Sequence, residues 1–220
     1  MSRIQLNPQR RGARHLLSSP QRLHAAVLGC FPAPPTGDRD GAARVLWRVD
    51  HDRERTLLYV VSPSEPDFAA LAEDAGWPTT ERGVVKPYQP LLDTLESGQT
   101  WAFRLTANPT RYLPGDDGRA RRVAHVTVGH QEQWLRDRVE RAGFRIAGES
   151  NLLVSRRNVE TFTRRDTTRA RTGTVTVAIA QFDGLLEVTD PQLLRTALVT
   201  GIGPAKAYGC GLLTLARTPA

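Results

Sequence analysis

The pattern of apolar and polar positions is laid down once and then repeated. Arg3-Ile4-Gln5-Leu6-Asn7-Pro8 alternates as a half-buried strand does. Ser19 and Pro20 open a helix. On it Leu23, Val27, Cys30 and Phe31 fall at i, i+4, i+7 and i+8, an apolar stripe for a core. Pro32, Pro34 and Pro35 end that helix. Val45, Trp47 and Val49 alternate as a second strand, and Thr56–Ser62 reads as a third. A short helix follows over Pro66–Glu73, stopped near Gly76, and Val84–Tyr88 reads as a strand.

About 100 residues after the first strand, Arg104-Leu105-Thr106-Ala107-Asn108-Pro109 again reads as a strand ending in Asn-Pro. A basic loop (residues 111–122) leads to a helix over Gln131–Ala142, with Trp134, Leu135 and Val139 as its stripe and Gly143 at its end. Phe144–Ile146 and Asn151–Val154 are strand-like. A basic stretch, Arg156–Arg171, precedes the strand Thr174–Phe182. Asp190-Pro191 opens a helix through Leu198, and Leu212–Ala216 is the final strand. Each half therefore reads β-α-β-β-α-β. The fold expected is α+β, two tandem ferredoxin-like domains over 1–90 and 99–220, with Pro87–Gly98 as linker. This plan hosts RNA binders, metal binders and enzymes alike, so function must come from particular residues.

Composition narrows the class. The 220 residues are 40% apolar and 24% charged, enough for real cores. The longest apolar runs, such as Leu57–Val61 and Val177–Ala180, fall far short of the ~18 residues of a membrane span. Cys30 and Cys210 form no disulfide framework and no CxxC, which points to a reducing cytoplasm and away from structural zinc. No apolar segment marks a secretory signal. The Arg-rich, acid-free N-terminus could be a transit peptide, but its strand alternation and helix start argue for folded chain.

Charge is segregated. Of 30 basic residues 28 are Arg, and the formal net charge is +7. Residues 1–37 hold five Arg and no acid, residues 38–100 hold 12 acids against 7 bases, and residues 151–172 hold six Arg against two acids. A high-GC coding sequence also inflates Arg, but segregation of this kind suits a basic face for a polyanion. Aromatics are only 6%, with no RNP-type aromatic strand, so a folded stem gripped at its phosphates fits better than a stacked single strand.

The segment Gly201-Ile202-Gly203-Pro204-Ala205-Lys206-Ala207-Tyr208-Gly209-Cys210-Gly211 is the most unusual. It follows a helix near the end of the chain and lacks GKS or GKT, so it is neither a dinucleotide loop nor a P-loop. Two readings stay open. Its glycines serve a tight turn that packs the last strand, or its N–H groups form a nest for phosphate with Lys206 adding charge.

Phe103–Pro109 and Gly201–Leu213 resemble signature segments of the CasE family, the precursor-CRISPR-RNA endoribonucleases of subtype I-E within the RAMP superfamily. Pro20–Pro32, with His24 and Phe31-Pro32, and Phe182-Asp183-Gly184 followed by Leu186-Glu187-Val188 match as well. The resemblance covers most of the chain in order. It implies tandem ferredoxin-like domains and metal-independent cleavage on the 3′ side of the repeat stem-loop. It also implies a product that stays bound within the Cascade surveillance complex, with CRISPR RNA and other Cascade subunits as partners and no cofactor.

Histidine suits proton transfer near neutral pH, and the resemblance makes His24 catalytic. The family carries a Tyr three residues before it. Here Gln21 stands there, able to orient a phosphate but unable to deliver a proton as Tyr does. A family lysine further along the helix is also missing, with Gly29 near its place. Tyr208 and Lys206 could supply a hydroxyl and a charge if the glycine-rich loop lies opposite the helix. Candidate RNA contacts are Arg22, Asn108, the glycines Gly201, Gly203, Gly209 and Gly211, and the Arg of an expected hairpin, Arg156, Arg157, Arg164, Arg165, Arg169 and Arg171. In the family a basic hairpin in this region grips the stem. His15, nine residues earlier in an N-terminal basic loop, is a second candidate that reads better as touching RNA or solvent, and His51, His125 and His130 read as surface residues. No metal-ligand spacing appears. Two rivals stand beside this reading: a non-catalytic RNA-binding subunit, and a small-molecule phosphate-binding enzyme.

Overall fold

Alternation in the first half builds a four-stranded antiparallel sheet. The computed structural model describes residues 1–32, 44–52, 54–77, 83–115, 118–148, 150–166 and 171–218. Strands β1 (Ser2–Leu6), β2 (Leu46–His51), β3 (Thr56–Val61) and β4 (Val84–Val85) lie in the order β2-β3-β1-β4. Helices α1 (Arg11–Leu17) and α2 (Pro20–Leu28) connect β1 to β2, and α3 (Ala69–Ala75) connects β3 to β4. Ile4, Leu6, Leu23, Val27, Trp47, Leu58, Val60, Phe68 and Leu71 form this half's core.

The second half repeats the order. Strands β5 (Thr100–Ala107), β8 (Phe144–Ile146), β10 (Arg171–Val188) and β11 (Leu213–Arg217) lie as β11-β5-β10-β8. Between them run a ribbon of β6 (Thr110–Pro114) and β7 (Ala120–Ala124), then α5 (Val128–Val139), β9 (Leu152–Asp166) and α6 (Pro191–Thr200). In both sheets the first strand lies between the third and fourth, the arrangement that a β-α-β-β-α-β chain gives when neighbours are antiparallel. Phe103, Leu105, Trp134, Phe144, Phe182, Leu194 and Leu198 fill the second core.

Local signals act as expected at α6. Pro191 takes the first helical turn, and the Asp190 carboxylate accepts from the N–H groups of Gln192 (2.8 Å) and Leu193 (3.0 Å). Gly143 ends the turn after α5 at φ 79°, and a Cβ there would sit 2.3 Å from the Asp190 carbonyl oxygen. Ser19 occupies the cap position of α2, but its side chain makes no capping bond.

Other elements depart from the sequence expectation. Helix α1 takes the place of the N-terminal basic loop. It lacks a side-chain cap and is held by tertiary contacts: Ala13 is fully buried, and Arg10 donates to the Gly76 carbonyl at 3.1 Å. The segment read as linker carries a helical turn, α4 (Gln89–Asp93). The basic loop 111–122 is largely the β6–β7 ribbon. Strand β10 runs well past Thr174–Phe182 in both directions, and β9 pairs with it from Leu152 to Asp166 as a long hairpin. Its Thr174-Val175-Thr176-Val177 run suits extended chain.

One residue sets how the two sheets meet. Leu46, Trp47 and Arg48 are all buried, so β2 is covered on both faces. Arg48 Nε and Nη2 donate to Asp50 (2.6 and 2.9 Å). Its Nη1 donates to the carbonyls of Arg104 (3.0 Å) and Leu212 (3.1 Å), and Nη2 also donates to Thr214 Oγ1 (2.9 Å). A guanidinium has five N–H donors, and the five bonds satisfy them all. Arg104 extends the network to Asp183 at 2.6 Å. Burial alone pushes the Asp183 carboxyl up, but hydrogen bonds from Arg104, Ser155 and Gln181 hold it below the usual carboxylate range.

Candidate functional site

Helix α2 presents its apolar residues Leu23 and Val27 to the core, which leaves Gln21 and His24 half-buried on its flank. Spacing i, i+3 puts these two on one face. Opposite them lies a short 3-10 turn, Lys206–Tyr208, in the segment between α6 and β11. The turn is entered through Ala205 at φ 63° and left through Gly209 at φ 79°. Gln21, His24, Lys206 and Tyr208 line one groove together with Arg44 and Arg122. The four residues named from sequence as a catalytic set are thus brought together by tertiary structure.

The electrostatics of the groove are cationic. Burial holds the His24 imidazole below its ordinary value. Burial, and then the nearby Arg44 guanidinium, hold the Lys206 ammonium below its ordinary value. No carboxylate is among the described groove-lining residues. Tyr208 packs edge-on against Phe162 of β9, with ring centroids 4.8 Å apart, so the turn rests on the hairpin. Trp47 Nε1–H donates to His24 Nδ1 at 3.4 Å.

The glycine-rich segment settles between its two readings. The N–H groups of Gly201, Gly209 and Gly211 donate to the carbonyls of Ala197 (2.9 Å), Lys206 (3.4 Å) and Thr106 (2.7 Å). A phosphate nest from those three does not hold, because their donors are already engaged within the chain. Their Cβ positions are also occupied by protein: a Cβ on Gly209 would lie 2.7 Å from Trp47 Cζ3, and one on Gly201 2.9 Å from Leu46 Cδ2. Gly203 does line the groove, but a Cβ there would meet the Trp134 ring at 2.7 Å. The glycines chiefly let the segment pack, and Lys206 carries its charge.

The expected RNA contacts divide. Arg22 is exposed and donates to Ser18 Oγ at 2.9 Å. Asn108, just after β5, is buried at 8% exposure and presents little open surface. Arg156 and Arg157 are exposed on β9 and face different surroundings. Arg156 lines a cleft with Trp47, His51 and Tyr208, whereas Arg157 donates to the Val126 carbonyl at 3.1 Å. The backbones of Arg164, Arg165 and Arg171 lie in the hairpin strands, and Arg169 lies outside the described residues.

Sequence reasoning missed three participants. Arg122 lines both the His24 groove and its continuation along the ribbon, where Arg111, His125 and Arg138 stand with Gly203 and Pro204. The basic run 111–122 was the available signal. Arg44 carries no local signal. Trp47 reads from sequence only as core. Among the described residues no three His, Cys, Asp or Glu side chains lie close enough to hold a metal ion, and no helix is long and apolar enough to cross a membrane.

Comparison with known proteins bears on the whole chain. The family model described as "CRISPR associated protein" matches residues 1–217. The chain belongs to this CRISPR-associated family. Among its relatives, the CRISPR-associated endoribonuclease Cse3 of Thermus thermophilus is 34% identical, with 98% of this chain and 99% of that protein covered. The CRISPR system Cascade subunit CasE of Escherichia coli K12 is 29% identical over 89% of this chain and 90% of that protein. The structure is similar to that of Thermus thermophilus Cse3 bound to an RNA representing a pre-cleavage complex. That match has a TM-score of 0.75 and 30% identity, with 98% of both chains covered. The tandem ferredoxin-like fold of the CRISPR-associated family is thus present over its length.

Proposed function

We propose that this chain is a metal-independent endoribonuclease that cuts precursor CRISPR RNA on the 3′ side of the repeat stem-loop and keeps the product as a Cascade subunit. The observation that carries the reading is the convergence of His24, Gln21, Lys206 and Tyr208 on one cationic groove, in a chain similar throughout to an endoribonuclease. Residues 1–90 and 99–220 act as two units, the first carrying His24 and the second the hairpin and the lysine. The two cysteine thiols, free and buried, suit a cytoplasmic setting.

The reaction uses a nucleophile that the substrate brings. The ribose O2′ forms a bond to the adjacent phosphorus as the P–O5′ bond breaks. The hydroxyl proton leaves O2′, and O5′ takes up a proton. The products are a 2′,3′-cyclic phosphate and a 5′-hydroxyl. Chain residues must align O2′, phosphorus and O5′, steady the phosphate charge and handle protons. His24 is the proton-handling group. Lys206, with Arg44 and Arg122, steadies the phosphate. Gln21 orients it through its amide, and Tyr208 offers a hydroxyl. Arg156 and Arg157, with the hairpin that bears them, hold the stem. Arg111 and Arg138 extend the basic track beyond the cut.

The test is cleavage of the cognate repeat RNA in EDTA, with native RNA and with a 2′-deoxy substitution at the cut. Native RNA should be cut and the substituted RNA should survive. Cutting of the substituted RNA overturns the mechanism. Gln21, standing where the family carries Tyr, favours a second reading as a binding subunit without activity. Native RNA that is bound tightly and left whole would select it.

A further inference from the structure

Trp47 stands between the helix of His24 and the turn of Lys206. Its ring is 3% exposed, and Gly209 packs against it so closely that a Cβ would lie 2.7 Å from Cζ3. From this fixed position its Nε1–H donates to His24 Nδ1 at 3.4 Å. An indole N–H can only donate, so the nitrogen that receives it must carry the lone pair. A neutral His24 therefore holds its own proton on Nε2. This reverses the arrangement of a serine-hydrolase triad. There a carboxylate accepts from Nδ1–H and leaves Nε2 as a base.

The remaining surroundings agree. Among the described residues, the charged and titratable groups facing His24 across the groove are Arg44 ahead of β2, Arg122 on β7, and Lys206 and Tyr208 on the turn, while its own helix adds the neutral Gln21. None is an acid that could pull a proton onto Nδ1. We propose that Trp47 is a positioning residue that fixes the tautomer of His24, so that the ring presents Nε2–H to the groove as a donor to the RNA phosphate. While this bond stands, Nε2 cannot accept the 2′-hydroxyl proton, and protonation at Nδ1 must displace the indole. The bond acts in the same direction as burial on the His24 titration. The kinetic part of this inference rests on the proposed cleavage; the tautomer does not.

Nitrogen-15 NMR of the histidine ring in the whole wild-type protein tests the tautomer without RNA. The expected result is an unprotonated Nδ1 and a protonated Nε2 for His24, assigned against His24→Ala. In Trp47→Phe, which keeps a ring against Gly209, the His24 titration should move up by a few tenths of a pH unit to roughly one, the equivalent of one hydrogen bond. A proton found on Nδ1, or an unmoved titration in Trp47→Phe, overturns the proposal. In single-turnover cleavage at saturating repeat RNA, Trp47→Phe should be slower by roughly three- to tenfold with unchanged RNA affinity. Loss of affinity with an unchanged rate would make Trp47 merely structural and also overturn it. A wild-type protein that cuts no repeat RNA would overturn the proposed cleavage, and the NMR result would still decide the tautomer.

Discussion

The two sheets share one strand order and treat the same edge in opposite ways. In the first, the edge strand β2 is covered on both faces, with Trp47 against the core and Leu46 and Arg48 against the other sheet. In the second, the matching edge is broken between β8 and β9. There β9 runs on with β10 past the last residue that pairs with β5, Ala180, as a hairpin whose Phe162 packs against Tyr208. The covered edge brings α2 against the glycine-rich turn and so assembles the groove. At the base of that hairpin, opposite Gln181 and Ala180, β9 offers the exposed Arg156 and Arg157. On the proposed reading the covered edge serves the chemistry and the overshooting edge the grip, so damage to each edge should give a different defect.

The largest effect should come from the chemical half. His24→Ala should slow single-turnover cleavage by about 10²- to 10⁴-fold while RNA affinity, read by filter binding, stays near wild type. Equal loss of both would deny the division. Next comes the seam. Arg48→Ala takes the bidentate partner from Asp50, which keeps Arg104 at 3.3 Å, and removes the donor to the Leu212 carbonyl; it should cost about 1–3 kcal/mol in denaturant unfolding. On the gripping half, replacing both Arg156 and Arg157 with Ala should weaken binding and reduce the slope of log affinity against log salt by about 1 for each phosphate that is no longer neutralised. The rate at saturating RNA should hold. An unchanged salt slope would remove the hairpin from the stem.

The smallest effect is on acid stability. Burial depresses His24, and depresses His51 with help from Arg156, relative to the ordinary 6.5. The unfolded chain then binds more protons than the folded one once pH falls towards 6.5. Stability conferred by the neutral rings is full above that value and is lost as pH falls through the folded values. Unfolding midpoints followed downwards from about pH 7.5 should drop less steeply in His24→Gln than in wild type. Equal slopes would show that His24 titrates alike in both states.

Much of this was legible in the sequence, and the limits have physical causes. The twice-used strand ending in Asn-Pro, the stripe Leu23–Phe31 and the Asp190-Pro191 cap are local signals, and local interactions produced them. Arg48 was not legible, because a charge at an alternate strand position looks like a solvent-facing residue until a second sheet covers it. Helix α1 depends on contacts with the α3 region, which no local propensity reports. The meeting of His24 with Lys206 depends on segments about 180 residues apart, so the sequence offered it only on the condition that the glycine-rich loop lie opposite the helix. Asn108 and its counterpart Asn7 share one motif and one degree of burial, so the motif marks a strand end in both halves.

The saturated fork of Arg48 leaves this chain little freedom to drift at position 48. Lysine keeps the positive charge, but a single ammonium with three hydrogens cannot reach a carboxylate, two peptide oxygens and a hydroxyl arranged around a plane. A lineage that exchanged the one for the other would keep its isoelectric point and lose the alignment on which its cutting edge depends.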